Sequence, residues 1–80
     1  NSIVSIYPNP SNGWITINIH ENTFDEINII NNFGETISVI DLDMIHHKEK
    51  MINLTKYPKG IYIIQLINND NIINQRIILQ

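Results

Sequence analysis

A chain of 80 residues without cysteine forms one small domain at most, and neither disulfides nor cysteine-based metal sites can stabilise it. Its net charge of −3, with acidic and basic residues interspersed, argues against nucleic-acid binding, which requires a basic surface. No apolar run approaches the roughly 20 residues of a membrane helix, and no secretory signal pattern opens the chain.

Composition favours strands over helices. Isoleucine, which is β-branched and packs well in sheets, accounts for 20 residues, whereas alanine, the strongest helix former, is absent. Asparagine, a poor helix former, accounts for 13 residues. Because isoleucine and asparagine codons are AT-rich, a low-GC genome is an alternative origin of part of this bias.

Seven strand-like segments separated by turn residues predict an all-β domain, a small seven-stranded antiparallel Ig-like β-sandwich formed by residues 1–80. The predicted strands are residues 3–7, 14–20, 27–31, 35–42, 51–54, 60–67 and 72–79. Strict alternation is clearest in the second of them. The expected interior consists of Ile15, Ile17, Ile19, Ile27, Ile29, Ile37, Val39, Tyr62, Ile64 and Leu66.

Turn formers mark the ends of these strands. The first strand stops after Tyr7, because Pro8 and Pro10 each remove a backbone donor. Gly34 suits the positive φ of a tight hairpin. Residues 57–60, with proline second and glycine fourth, fit a type I turn, and residues 68–71 close a final hairpin. The polar residues 41–50 lack periodicity and are expected to form a loop or edge crossing.

Three motifs follow one another along the chain, and a basic residue precedes the apolar end of the last strand. They are Tyr7-Pro8-Asn9-Pro10 with Gly13, Phe33-Gly34-Glu35, Leu54-Thr55-Lys56-Tyr57-Pro58-Lys59-Gly60-Ile61-Tyr62, and Arg76. This ordered set closely resembles the type A C-terminal sorting domain family of Bacteroidetes over essentially the whole chain. Two positions depart from the family pattern, which often has leucine at Tyr57 and lysine at Gln80.

The resemblance implies a C-terminal secretion signal rather than an enzyme. Such a domain follows an N-terminal cargo through the periplasm and engages the translocon and outer-membrane shuttle protein of the type IX secretion system. It is then usually removed by a sortase-like protease, and the cargo reaches the cell surface or the medium. We therefore expect the chain to be the C-terminal domain of a larger secreted protein.

Nine residues are candidates for recognition by these partners: Tyr7, Pro8, Asn9, Pro10, Gly13, Gly34, Gly60, Tyr62 and Arg76. All but Tyr7 also have a structural explanation. Turn geometry accounts for Asn9, the prolines and the glycines, core packing for Tyr62, and an edge charge that discourages aggregation for Arg76. We expect residues 8–13 to form a rigid surface turn beside the junction with the cargo.

Adjacent isoleucines predict apolar groups on both faces of several strands, at residues 29–30, 63–64, 72–73 and 77–78. Exposed apolar surface usually marks an interaction site. Part of this isoleucine is therefore expected to form a docking patch for the secretion machinery or a self-association surface. Genome bias is the rival explanation.

An alternative function from another class is a carbohydrate-binding or adhesive β-sandwich module of an extracellular enzyme. In that case Trp14 and the tyrosines would stack on sugars, although a single tryptophan on a strand is more often part of the core. A third alternative is a purely structural spacer, whose deletion would leave export intact.

Residues that could support metal binding or catalysis form no recognisable motif. The histidines lack metal-ligand spacing: His20, His46 and His47. The serines lie outside any nucleophile motif: Ser2, Ser5, Ser11 and Ser38. The sequence therefore predicts no catalytic residue, no metal site and no cofactor.

Overall fold

The computed structural model describes residues 3–21, 23–42 and 49–80, which form seven strands. These are β1 (Val4–Tyr7), β2 (Trp14–Ile19), β3 (Glu26–Asn31), β4 (Thr36–Asp41), β5 (Glu49–Asn53), β6 (Gly60–Ile67) and β7 (Ile72–Leu79). No helix occurs within the described ranges, and the predicted all-β fold is confirmed. In the same ranges no helical segment is long and apolar enough to cross a membrane.

The strands form two antiparallel sheets that pack face to face. The smaller sheet has the order β1-β2-β5 and the larger sheet the order β4-β3-β6-β7. All neighbouring strands are antiparallel. The order is an immunoglobulin-like arrangement in which β4 pairs with β3 instead of β5. The predicted seven-stranded antiparallel sandwich is therefore the observed fold.

Strand bounds follow the sequence pattern most closely near the C-terminus. β6 and β7 coincide with their predicted ranges, and their hairpin is closed by Asn68 N donating to Asn71 O at 3.0 Å. β5 begins at Glu49, earlier than the predicted start at Met51, so part of the predicted polar loop is strand. Residues 43–48 of that loop lie outside the described residues.

The predicted hairpin between β3 and β4 is confirmed. Gly34 has a φ of +83°, in the left-handed region that favours glycine. Asn31 Oδ1 accepts the backbone N–H groups of Phe33 at 2.9 Å and Glu35 at 3.0 Å. The tip is thus fixed by one asparagine side chain and one glycine.

The reversal before β6 differs from the predicted type I turn over residues 57–60. The hydrogen-bonded turn lies three residues earlier, where Tyr57 N donates to Leu54 O at 3.0 Å. The hydroxyl of Tyr62 donates to Pro58 O and holds the segment that follows this turn. Residues 58–59 then lead into β6 without a further hydrogen-bonded turn.

The interior between the sheets is formed by alternate residues of the strands. Eight of the predicted interior residues are buried: Ile15, Ile17, Ile19, Ile27, Ile29, Tyr62, Ile64 and Leu66. Eight others were not predicted: Val4, Ile6, Phe24, Leu42, Ile52, Leu54, Ile77 and Leu79. Ile37 is half-buried against this core.

Val39 was wrongly predicted to be interior, because a β-bulge interrupts the alternation of β4. Ile29 is paired with Ser38, but the next residue, Ile30, is paired with Thr36, which leaves Ile37 as the extra residue. The bulge brings Ile37 to the core side and turns Val39 outwards, where 57% of it is exposed.

In each pair of adjacent isoleucines, one side chain faces the core and the other faces the outer side of the larger sheet. Ile77 is fully buried, for example, whereas its neighbour Ile78 is 38% exposed. A row of amides crosses that outer face. Asn28 Nδ2 donates to Gln65 Oε1 at 3.2 Å, and Gln65 Nε2 donates to Asn74 Oδ1 at 3.0 Å. The outward isoleucines therefore do not form one continuous apolar surface.

Candidate functional site

The loops that carry the three sequence motifs lie at one end of the sandwich. The odd-numbered strands all end there and the even-numbered strands begin there, as the pairings of Trp14 with Asn53 and of Gly60 with Leu79 show. We call this the distal end; it comprises residues 8–13, 32–35 and 54–60 and Gln80, which follows β7. The opposite, proximal end is where the chain enters β1.

This placement corrects the expectation that residues 8–13 adjoin the cargo junction. β1 runs the length of the smaller sheet between the chain's entrance and Pro8, because Val4 pairs with the last residue of β2. The turn therefore lies at the opposite end of the smaller sheet from the start of β1. Sequence order places it close to the start of β1, but the fold separates the two.

Residues 9–11 pair with the outer edge of β7. Asn9 Nδ2 donates to Arg76 O at 3.1 Å, and Ile78 N donates to Asn9 Oδ1 at 3.0 Å. Ser11 N donates to Ile78 O at 2.8 Å, and Gln80 N donates to Ser11 O at 2.8 Å. The turn thus acts as a short additional strand that covers the C-terminal half of the last strand's open edge.

Ser11 and Gly13 anchor the turn to the body of the domain. Ser11 is buried, and its hydroxyl donates to Trp14 O at 2.7 Å while it accepts from Gly13 N at 3.1 Å. Gly13 O accepts from Leu54 N at 2.6 Å. A Cβ atom on Gly13 would lie 2.5 Å from Thr55 Cγ2. Ser11 was missed from the sequence, where a buried serine looks like any other turn former.

Replacing Asn9 with alanine is expected to lower the free energy of unfolding by about 1–2 kcal/mol, because Arg76 O and Ile78 N each lose a partner. Chemical denaturation measures the loss, and hydrogen exchange at the Ile78 amide should accelerate. The matched control is Asn12→Ala, since Asn12 is exposed in the same turn. An equal loss in both variants would contradict the assigned role of Asn9.

The second and third motifs face each other across a cavity of about 330 Å³, which we call the distal groove. Its apolar and aromatic lining comprises Phe33, Ile37, Tyr57, Pro58, Ile61 and Tyr62. The rings of Tyr57 and Tyr62 lie 6.4 Å apart at 47°. Phe33 is 81% exposed, whereas Tyr62 is buried. The groove therefore has an open aromatic wall and a fixed aromatic floor.

Charge is segregated between the two halves of the sandwich, although acidic and basic residues are interspersed in the sequence. Three of the four described basic residues lie in the distal half, with one acidic residue: Lys56, Lys59, Arg76 and Glu35. The other six described acidic residues lie in the proximal half: Glu21, Asp25, Glu26, Asp41, Glu49 and Asp70. The distal end is consequently the basic end of an acidic protein.

All nine predicted recognition residues lie in the distal half, in two groups. Around the turn that covers β7 are Tyr7, Pro8, Asn9, Pro10, Gly13 and Arg76. Around the distal groove are Gly34, Gly60 and Tyr62. Among the groove residues that are not in the nine are Phe33, Tyr57, Pro58, Lys59 and Ile61, although the sequence motifs contain them. For Phe33, its position at a hairpin tip was the available signal.

Trp14 is not part of the core, contrary to the common pattern for a strand tryptophan. It is 49% exposed on the outer face of the smaller sheet, where Tyr7 and Met51 are 46% and 60% exposed. Thr16 pairs with both of these residues and lies between them. The four side chains form a second exposed apolar area, distinct from the distal groove.

Among the described residues, no group of three metal-ligating side chains occurs. His20 Nε2 lies 2.7 Å from Ser5 Oγ and links β1 to the end of β2. The other two histidines considered from the sequence, His46 and His47, lie outside the described ranges.

Comparison with known proteins identifies one family. A family model described as the secretion system C-terminal sorting domain matches residues 5–80, from β1 to the last residue. The match includes all three motifs and Arg76. No curated protein matches the chain.

Proposed function

The chain belongs to the family of secretion system C-terminal sorting domains, and on that premise we propose that it presents its distal end to the type IX secretion machinery. Membership makes it a type IX sorting signal, which interacts with that machinery and accompanies an N-terminal cargo. The cargo is exported across the outer membrane to the cell surface or the medium. The family is a secretion signal, not a catalytic domain.

We also propose the following course of export. The 80 residues form the single C-terminal domain of a larger secreted protein, and they follow the cargo through the periplasm. The domain then binds the outer-membrane translocon and shuttle protein. A sortase-like protease cleaves the chain on the N-terminal side of the domain after export.

The convergence of the three motifs at the distal end is the observation that supports this proposal. An N-terminal cargo joins the domain at the proximal end, where the chain enters β1. The distal end is therefore left accessible while a folded cargo is attached. The turn over β7, the aromatic groove and the excess of basic residues are all on this free side.

A carbohydrate-binding module is the second candidate, and the exposed Trp14 and Tyr7 favour it. Aromatic side chains with free faces are suited to stacking on sugar rings, and Thr16 between Tyr7 and Met51 adds a hydroxyl. This area lies on the outer face of the smaller sheet, so the two candidate functions use different surfaces. A purely structural spacer, in contrast, would need neither of these two surfaces.

The test is a fusion of the 80 residues behind a periplasmic signal peptide and a fluorescent reporter, in a Bacteroidetes host with and without a working type IX system. We expect the reporter outside the cell only in the competent strain. The same reporter without the domain is the control. A reporter that stays in the periplasm of both strains would contradict the proposal and favour the binding module.

A further inference from the structure

Phe33 is exposed without a structural need for an aromatic ring. The hairpin tip is held by Asn31 and Gly34, and neither interaction uses the Phe33 side chain. With 81% exposed, it is the most exposed of the large apolar residues in the part of the chain described. An exposed aromatic side chain that adjoins a groove lined by other apolar and aromatic side chains is typical of an interaction site.

The rest of the groove is already formed before any ligand binds. The Tyr62 hydroxyl donates to Pro58 O, which fixes the loop to the buried floor. Tyr57 packs against Tyr62, and Ile61, 43% exposed, extends the apolar surface. Because these groove residues are already ordered, a ligand that binds there would lose little binding free energy to the ordering of side chains and loops. The cavity of about 330 Å³ suits one large side chain and not a folded element.

The rim of the groove is basic. Lys59 lines it directly, and Lys56 Nζ lies 5.3 Å from the centre of the Tyr57 ring. The only acidic residue described in the distal half, Glu35, accepts a hydrogen bond from Asn31 Nδ2 at 2.9 Å. Charge complementarity therefore favours an acidic ligand over a basic one.

We propose that the distal groove binds an aromatic side chain presented by an acidic segment of the secretion machinery. This inference rests on the proposed sorting function and specifies the chemistry of the partner at that site. A second copy of the chain is a poorer occupant, because a two-fold contact between distal ends would place Lys56 and Lys59 against the same lysines.

Two short peptides test the proposal on the isolated chain by NMR titration: acetyl-Asp-Trp-Asp amide and its counterpart acetyl-Lys-Trp-Lys amide. We expect the acidic peptide to shift the amide signals of Phe33, Ile37 and Tyr57, and to bind at least about tenfold more tightly than the basic peptide. This preference should fall as salt is added, since both lysines are solvent-exposed.

Variants assign the binding to the groove. Phe33→Ala should weaken acidic-peptide binding by about tenfold or more, and Lys59→Gln should reduce the preference over the basic peptide. Val39→Ala is the matched control, since Val39 is exposed on β4 away from the groove. The unbound spectrum of each variant verifies that it is folded.

Equal affinity for both peptides, shifts located elsewhere, or an unchanged affinity in Phe33→Ala would each overturn the proposal. Dimerisation of the chain that is lost in Phe33→Ala would also overturn it, in favour of a second copy. Reporter export by the unaltered domain tests the sorting function independently of peptide binding. A domain that is exported but binds neither peptide would refute the groove proposal alone.

Discussion

Gly13→Ala is expected to lower the free energy of unfolding by about 3 kcal/mol or more, enough to unfold much of so small a domain. Two costs combine. Gly13 has a φ of +140°, which residues with a Cβ atom rarely adopt, and its new Cβ would lie 2.5 Å from Thr55 Cγ2. Urea denaturation followed by circular dichroism measures the loss.

Two variants separate these costs. Gly60 has a similar φ, +153°, but a Cβ atom at that position would meet no neighbouring atom within 4 Å, so Gly60→Ala should lose only the backbone part, about 1–2 kcal/mol. Thr55→Ser removes the clashing methyl and keeps the hydroxyl that donates to Asn53 Oδ1 at 2.6 Å. Gly13→Ala should therefore cost less in the Thr55→Ser background. Equal costs in the two backgrounds would show that the clash is unimportant.

Ile77→Ala should cost about 3 kcal/mol, whereas Ile78→Ala should cost less than about 1 kcal/mol. The two neighbours face opposite sides of β7: Ile77 is fully buried between the sheets and Ile78 is 38% exposed. Truncation leaves a cavity only at Ile77. Chemical denaturation of both variants provides the comparison. Similar losses of unfolding free energy would contradict the assignment of Ile77 to the inner face of β7 and of Ile78 to its outer face.

Period-two alternation explains why most strands were predicted from the sequence. In β6, the buried residues Tyr62, Ile64 and Leu66 alternate with more exposed ones, and turn residues mark both ends. The strand β4 was predicted, but Val39 was assigned to the wrong face, because the bulge in β4 depends on pairing with β3, which local sequence does not encode. The burial of Phe24 and Leu42, which lie outside strands, likewise depends on the packing of the two sheets.

The motifs of the candidate site could be recognised in the sequence, but their arrangement in space could not. The motifs around Pro8, Phe33 and Gly60 are separated in sequence, and only the strand order brings their loops to one end. The separation of basic from acidic residues also depends on the fold. Lys59 and Asp70, for example, are close in sequence but lie at opposite ends of β6.

The side-chain role of Asn9 also depends on tertiary contacts. Turn geometry accounts for the neighbouring prolines, but the amide of Asn9 bonds to β7, 67 and 69 residues further along the chain. No local rule predicts such a contact. The structural and recognition explanations for this turn therefore have to be separated by experiment, with stability and export measured on the same variants.

Reporter export by a distal variant and a proximal variant tests the central claim most directly. Phe33→Ala with Lys59→Ala removes an exposed apolar residue and a charge at the distal end, and Ile72→Ala with Asp70→Ala does the same at the proximal β6–β7 hairpin. In a type IX-competent host, we predict that the distal variant stays in the periplasm while the proximal variant is exported like the unaltered domain. Equal export of the two variants, or retention of the proximal variant alone, would contradict the claim that the machinery recognises the distal end.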